Sequence, residues 1–279
     1  MSSDASIDAY FERIGFAGSI APTLSTLEQL HLLHPAAIPF ENLNPLLGLP
    51  VRLELRNLEQ KLLFEKRGGY CIEHNLLFKA MLEDLGFVVQ AHGARVLWGH
   101  PEGAERPVSH VVLTVDVAGV TYLADTGFGG LTLTAPLRLR ADREQATPHE
   151  TYRLLGGEPE WRLEAQIGEE WRVLYTFEEA ELTLEELTEI NDRVSVDHHF
   201  RGNLIAARSE SGRRFALRNL RFNTHVTGGE TETRMLTSVA EIKEVLAGQF
   251  GITLPPADRL DPALETILAR EQPAAEASA

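Results

Sequence analysis

The sequence predicts an α+β fold: helices first, then an antiparallel sheet or small barrel, then a mixed helix and strand segment. Three observations predict it. Apolar residues recur at helical spacing up to about residue 86. From Phe87 the runs become short, β-branched and aromatic, with glycine turns between them. Beyond Thr183, capped helices and strands alternate. At 279 residues, 43% hydrophobic and 24% charged, the chain has material for a packed core and the length of roughly two domains.

In the helical part, Ser25 and Glu28 form a capping pair ahead of Leu30, Leu32 and Leu33, and Pro35 follows His34. A helix is therefore expected over Thr26 to His34. Asn57 is expected to cap a second helix through Leu62, Leu63 and Phe64 that stops at Gly68 and Gly69. Leu77, Met81, Leu82 and Leu85 then recur at helical spacing, with Gly86 as the stop. This places Cys71 at or near a helix N-terminus.

Six strand-like runs follow between residues 87 and 178: FVVQAHGARVLW, VSHVVLTVDV, VTYLAD, TYRLL, WRLEAQI and WRVLYTF. Turns are expected at Ala118-Gly119, Gly156-Gly157 and Gly168-Glu169. Thr183 and Glu186 cap a helix to Asn191. Two further strands, NLIAARS and RFALRNLRF, flank a turn at Glu210 to Gly212. A helix over Ser238 to Leu246, a short one starting at Asp261-Pro262 and a disordered tail, EQPAAEASA, complete the chain.

Charge and cysteine count exclude several functions. A net charge of −15 and a pI near 5.1 argue against a nucleic-acid or anionic-membrane surface. The start, MSSDASIDAYFERIGF, lacks a basic segment leading into an apolar one, and no apolar run approaches the roughly 18 residues of a membrane span. One cysteine cannot form an internal disulfide. A reducing cytoplasm is the expected setting.

That cysteine sits in EKRGGYCIEHN. A free cysteine packs readily as a small hydrophobe, but here two glycines permit close backbone approach and the following helix start favours thiolate over thiol. A nucleophile also needs a base, and ten histidines compete for that role. His74, on the same helix, reads as a structural hydrogen-bonder. His110 interrupts an apolar strand, where a polar ring must be paired or used. With Ala118-Gly119 as the turn, Val117 faces Val120 and Asp125 lies opposite Val112, diagonal to His110 on the same face. Cys71, His110 and Asp125 thus form a candidate triad, the carboxylate orienting the imidazole. Asp197, His198 and His199 read as a solvated polar loop, with no metal expected.

Four segments, IPFENLN (38–44), RGGYCIEHN (67–75), SHVVL (109–113) and ADTGFGG (124–130), together resemble the arylamine N-acetyltransferases. The resemblance implies a helical bundle over 1–86 carrying the nucleophile and a β-barrel over 87–190 carrying histidine and aspartate. An α/β lid over 191–270 and a disordered tail over 271–279 would complete it, the core being related to cysteine proteases. It implies Cys71, His110 and Asp125 as the catalytic triad, acetyl-CoA as co-substrate with no tightly bound cofactor, and an aromatic amine or hydrazine as acceptor. Where family members often carry Ser-Thr-His-Pro before the lid, this chain reads NDRVSVDHHFRGN.

The expected chemistry is ping-pong transfer through an acetyl-cysteine. Phe40, Phe128 and Phe200 are candidates for an aryl-binding pocket. Ser109, Thr126, Gly127, Gly129 and Gly130 are candidates for contacts to the CoA phosphates, and Arg67 for an ion pair with Glu41 that anchors the loop. An amide synthase acting on a polyketide-type acyl chain, a cysteine-dependent hydrolase and a non-catalytic binding module are the rival readings. A homo-oligomer is compatible with the sequence.

Overall fold

The computed structural model describes residues 3–101 and 103–271. It opens with α1 (Ser3–Ile14) and α2 (Leu24–Ala37). Thr23, not Ser25, caps α2, its hydroxyl accepting from Thr26 N. Pro35 does not end the helix either: in a final turn the missing N–H costs a single bond, and α2 continues to Ala37. The strand β1 (Phe40–Glu41) and the turn α3 (Leu43–Leu46) lead into α4 (Leu55–Glu59), prolonged by a π-helical turn over Gln60–Phe64. Asn57 is inside α4 rather than capping it, and its amide reaches back to Glu54 (2.8 Å).

Next comes α5 (Cys71–Asp84), followed by Gly86 in the left-handed conformation (φ 87°) as the sequence predicts. Its Ile72, Leu77, Phe78, Met81 and Leu82 have no exposed surface. At roughly 1.5–3 kcal/mol for each such side chain buried, α5 is a central strut and not a peripheral helix.

The strands β2 (Val88–Val96), β3 (His110–Val117), β4 (Val120–Ala124), β5 (Leu137–Arg138), β6 (Arg143–Ala146), β7 (Thr151–Gly157), β8 (Glu160–Ile167) and β9 (Glu170–Glu181) form one antiparallel sheet. Its order is β5-β4-β3-β2-β9-β8-β7-β6. The sheet curls until its edges nearly meet, and the Gln145 amide on β6 bonds both backbone groups of Arg138 on β5 (2.8 and 3.0 Å). Ala118 (φ 54°) and Gly119 (φ 78°) make the tight β3–β4 turn, with Val117 facing Val120 and Leu113 facing Ala124, the predicted register. Gly156 and Gly157, expected as a turn, instead pair with Trp161 and Glu160 inside the ladder, and the chain reverses at Glu158-Pro159. β3 is buried on both faces: Val111, Leu113 and Val115 join the core around α5, while Val112 joins the barrel interior.

The remainder comprises α6 (Leu184–Ser195), α7 (His198–Arg201), β10 (Ile205–Glu210), β11 (Arg213–Arg218), β12 (Arg221–Val226), β13 (Thr231–Met235), α8 (Val239–Gly248) and α9 (Ala257–Glu271). The Thr183–Glu186 capping box forms as predicted. RFALRNLRF is two strands, because Asn219 takes a left-handed turn (φ 53°) between them. The second sheet runs β1-β10-β11-β12-β13, so a strand from the helical segment forms its edge. α9 starts at Ala257, ahead of the expected Asp261; Pro262 costs it one bond, offset by burial of Leu260, Leu264 and Ile267. Of the expected tail, Glu271 closes α9 and 272–279 lie outside the described residues.

Candidate active site

Cys71 is the first residue of α5. The loop before it presses on the Pro39 backbone, where a Cβ on Gly68 would lie 2.0 Å from the carbonyl oxygen. Only glycine tolerates that approach. Arg67 anchors the loop to Glu41 (2.7 Å), as expected, and to Asn44 Oδ1 (3.0 Å). Burial would raise the Glu41 carboxyl, but the Arg67 and Lys61 charges and the Leu43 N–H hold it below its ordinary range. Glu73 accepts the Tyr70 N–H (3.0 Å) and pairs with Lys61 (2.7 Å), closing the helix start.

His110 opens β3 and Asp125 directly follows β4. Their hairpin brings His110 Nε2 within 2.8 Å of Asp125 Oδ2, both side chains almost wholly buried. Nδ1 is then the ring nitrogen left for Cys71, whose thiol is among the groups that favour the protonated imidazole. Cys71 Sγ also lies 3.8 Å from the Ser109 carbonyl oxygen. Burial would lower the His110 pKa, but the charge and hydrogen bond of Asp125, with Cys71 adding to them, raise it to about 10. Burial acts on Asp125 in the opposite sense, yet His110, Asn75 and the Gly127 N–H hold its carboxyl below its ordinary value.

Sequence reasoning missed Asn75. It lies one helical turn beyond Cys71 on the same face, and that spacing is the signal that could have found it. Its Nδ2 donates to Asp125 Oδ1 (2.9 Å) and the Val111 carbonyl (2.6 Å), while its Oδ1 accepts from Thr126 N (2.9 Å). This corrects the expectation for Thr126. With its N–H and hydroxyl both on Asn75 and only 2% exposure, Thr126 points into the protein and offers nothing to a phosphate.

Cys71 and His110 open onto a cleft of about 1200 Å³. Ser109, Gly127, Gly129 and Gly130 line it, as do Phe40, Phe128 and Phe200. Gly127 is spoken for: its N–H donates to Asp125 Oδ1 (3.0 Å), and a Cβ there would lie 2.6 Å from the Cys71 carbonyl oxygen. The Phe128 ring meets His110 edge-on at 5.4 Å, with Tyr175 at 5.3 Å from the same imidazole. Phe40 and Phe200 lie 6.4 Å apart, Phe40 parallel to the His74 ring. Arg106, Arg214 and Arg218 also line the cleft, a convergence of distant segments that no local pattern announces. Arg214 is committed to Glu150 and the Thr132 carbonyl, whereas Arg106 Nε is buried without a partner among the described residues. Asp197 caps α7 through the His199 N–H (2.7 Å).

A family model described as N-acetyltransferase matches residues 23–259. The arylamine N-acetyltransferase of Escherichia coli (strain K12) is 37% identical over 249 residues, 88% of either chain. The chain belongs to the arylamine N-acetyltransferase family. The Mycolicibacterium smegmatis arylamine N-acetyltransferase is 40% identical over 263 residues, 89% of this chain and 92% of that one. The structure of Mycobacterium marinum arylamine N-acetyltransferase in complex with CoA superimposes with a TM-score of 0.90 at 36% identity, covering 94% of this chain and 99% of that one. Within this arylamine N-acetyltransferase fold the four signature segments converge. IPFENLN contributes β1, RGGYCIEHN the start of α5, SHVVL the start of β3, and ADTGFGG the loop resting on Cys71.

Proposed function

We propose that this chain moves an acetyl group from acetyl-CoA to the nitrogen of an arylamine or hydrazine through an acetyl-Cys71 intermediate. The observation that carries the reading is a helix-start thiol against a buried His110–Asp125 pair at the edge of an aromatic-lined cleft. With His110 titrating near 10, the imidazole is protonated at neutral pH and stands ready as the thiolate's counter-ion.

The Cys71 thiolate attacks the thioester carbonyl, forming the new sulfur–carbon bond. The Cys71 N–H, which has no carbonyl one turn back in the helix, faces the developing oxyanion. As the bond to the CoA sulfur breaks, His110 gives its proton to the departing thiolate. Neutral His110 then takes a proton from the amine as its nitrogen attacks the acetyl group, and Cys71 leaves as thiolate beside the restored imidazolium. Phe40, Phe128 and Phe200 supply faces for an aryl ring. Arg106 and Arg218 give the CoA phosphates cationic partners in an acidic chain, beside Ser109, Gly129 and Gly130.

The labour divides along the sequence: 1–86 supplies the nucleophile, 87–190 the histidine and aspartate, and 191–270 covers the cleft. A cytoplasmic setting suits a working thiol, and among the described residues no helix is long and apolar enough to cross a membrane. The test is intact-protein mass spectrometry after brief exposure to acetyl-CoA without acceptor. One acetyl group on Cys71 is expected, discharged by an aniline-type amine. No adduct on folded protein overturns the transferase reading, and discharge by water as fast as by amine favours a hydrolase.

A further inference from the structure

We propose that His31, on α2, is a positioning residue that fixes the Asp125 backbone and thereby the direction in which its carboxylate meets His110. The inference rests on the Cys71–His110–Asp125 reading above. β4 ends at Ala124, so the Asp125 N–H leaves the ladder, and His31 Nε2 accepts it at 3.0 Å. Two other groups are pinned. The Asp125 carbonyl accepts the Thr132 hydroxyl (2.9 Å), and Oδ1 accepts from Asn75 and Gly127. With N, O and Oδ1 held, Oδ2 can point only at His110.

An imidazole nitrogen accepts only when it carries no proton, so His31 must be neutral with its hydrogen on Nδ1. Its surroundings enforce this. The ring is fully buried and edge-on to Phe78 (5.6 Å). Asp125 and His34 are the titratable groups facing it, and burial outweighs the Asp125 charge to bring its pKa down to about 4. Nδ1–H finds no hydrogen-bond partner among the described residues. A buried orphan donor is destabilising, so a side chain serving packing alone would be apolar here, as Leu27 and Leu30 on the same helix are. The other two buried histidines of the helical segment, His34 and His74, form a separate chain: Tyr10 O–H donates to His34 Nδ1 (2.9 Å), His34 Nε2–H to His74 Nδ1 (2.9 Å), and His74 Nε2–H to the Pro39 carbonyl (3.2 Å). It ends on the Pro39 backbone, against which the loop before Cys71 rests, and bypasses Asp125.

The test compares His31→Leu, which removes the acceptor, with His31→Gln, whose Oε1 restores one where Nε2 lay. Cys71 alkylation by iodoacetamide is followed against pH, alongside acetylation by acetyl-CoA. In His31→Leu the neutral-pH rates should fall on the order of tenfold, the scale of one positioning hydrogen bond, and the alkaline limb reporting the His110 proton should move to lower pH. His31→Gln should restore both. A folded His31→Leu with the wild-type limb and only a lower melting temperature overturns the proposal, as does a Gln variant no better than Leu. If His31→Leu does not fold, nitrogen-15 NMR of the wild-type imidazoles decides: Nδ1–H is expected from pH 6 to 9, and Nε2–H overturns it. Wild-type protein that takes no acetyl on Cys71 would instead sink the triad reading.

Discussion

Replacing Asp125 with asparagine keeps the side chain's shape and removes its charge. In the wild type His110 titrates near 10, so at pH 7.5 it is protonated in nearly every molecule. Without the carboxylate the dominant remaining influence is burial, which lowers the pKa, so His110 returns to or below the ordinary imidazole value of about 6.5. At pH 7.5 such a group is protonated in about one molecule in ten, a loss of at least roughly tenfold in ion pairs. The asparagine amide can also donate to Nε2, leaving the proton on Nδ1 where the thiol's must go; that tautomer error costs about 10⁴ in a serine-protease triad. The expected fall in kcat/KM is therefore between about 10-fold and about 10⁴-fold, with the melting transition still cooperative. Cys71 alkylation by iodoacetamide across pH 5 to 10 is the decisive assay, because it reads the ion pair without needing an acceptor amine. The variant should react slowly at neutral pH and gain speed only as a free thiol ionises, near 8.5. A folded variant with the wild-type alkylation profile would refute the role given to Asp125.

Two further outcomes follow from the same geometry. Gly127→Ala places a methyl group 2.6 Å from the Cys71 carbonyl oxygen, so the loop must lift and take its N–H away from Asp125; turnover should fall at least about tenfold, the worth of a misplaced hydrogen bond, and turnover at the wild-type rate would show the loop to be slack. The stability gap between wild type and Asp125→Asn should depend on pH. His110 is raised in the folded state, so its contribution is full below about 6.5 and disappears as pH climbs through about 10. Asp125 is lowered, so its share exists above about 3.9 and is lost in acid. Urea unfolding should therefore give the widest gap between about pH 5 and 6.5, and a gap that grows toward pH 10 would contradict the pairing.

The placement of Cys71, His110 and Asp125 was legible in the sequence because each sits where local rules are strong. Ala118-Gly119 admits one tight turn, and that turn alone sets the register joining His110 to Asp125. The glycine pair and the helical run after it locate Cys71. The hydrogen-bond partners that hold them were not legible, since these come from elements distant in sequence. Thr126 looked like a loop residue free to meet phosphate, but Asn75 on another element claims its polar groups. His31 on α2 gains its partner only when β4 delivers the Asp125 N–H to it. Helix limits slipped at two prolines: Pro35 stands in a final turn where it costs one bond, and Pro262, expected at a helix start, lies inside α9, whose burial offsets the lost bond. The arginines of the cleft, Arg106, Arg214 and Arg218, come from segments that only the closed fold gathers.

The edge strand β1 changes what the C-terminal sheet can do. Phe40 and Glu41 pair with Ala207 and Ala206 on one side, and on the other the Glu41 N–H donates to the Gly69 carbonyl (2.8 Å) in the loop before Cys71. Asn42 then ties the Phe200 and Asn203 carbonyls (2.7 Å each) and the Ile205 N–H (2.8 Å) to the same stretch. A sheet tied in this way to the loop before Cys71 cannot swing outward without breaking the bonds that hold that loop. The cleft is also lined by three further stretches, Trp98 to His100, Gln166 to Gly168 and Val226 to Gly229. Under the ping-pong reading proposed above, acetyl donor and acceptor share this one cleft, so the departure of CoA clears the space the amine then fills, a matter of plumbing as much as of chemistry.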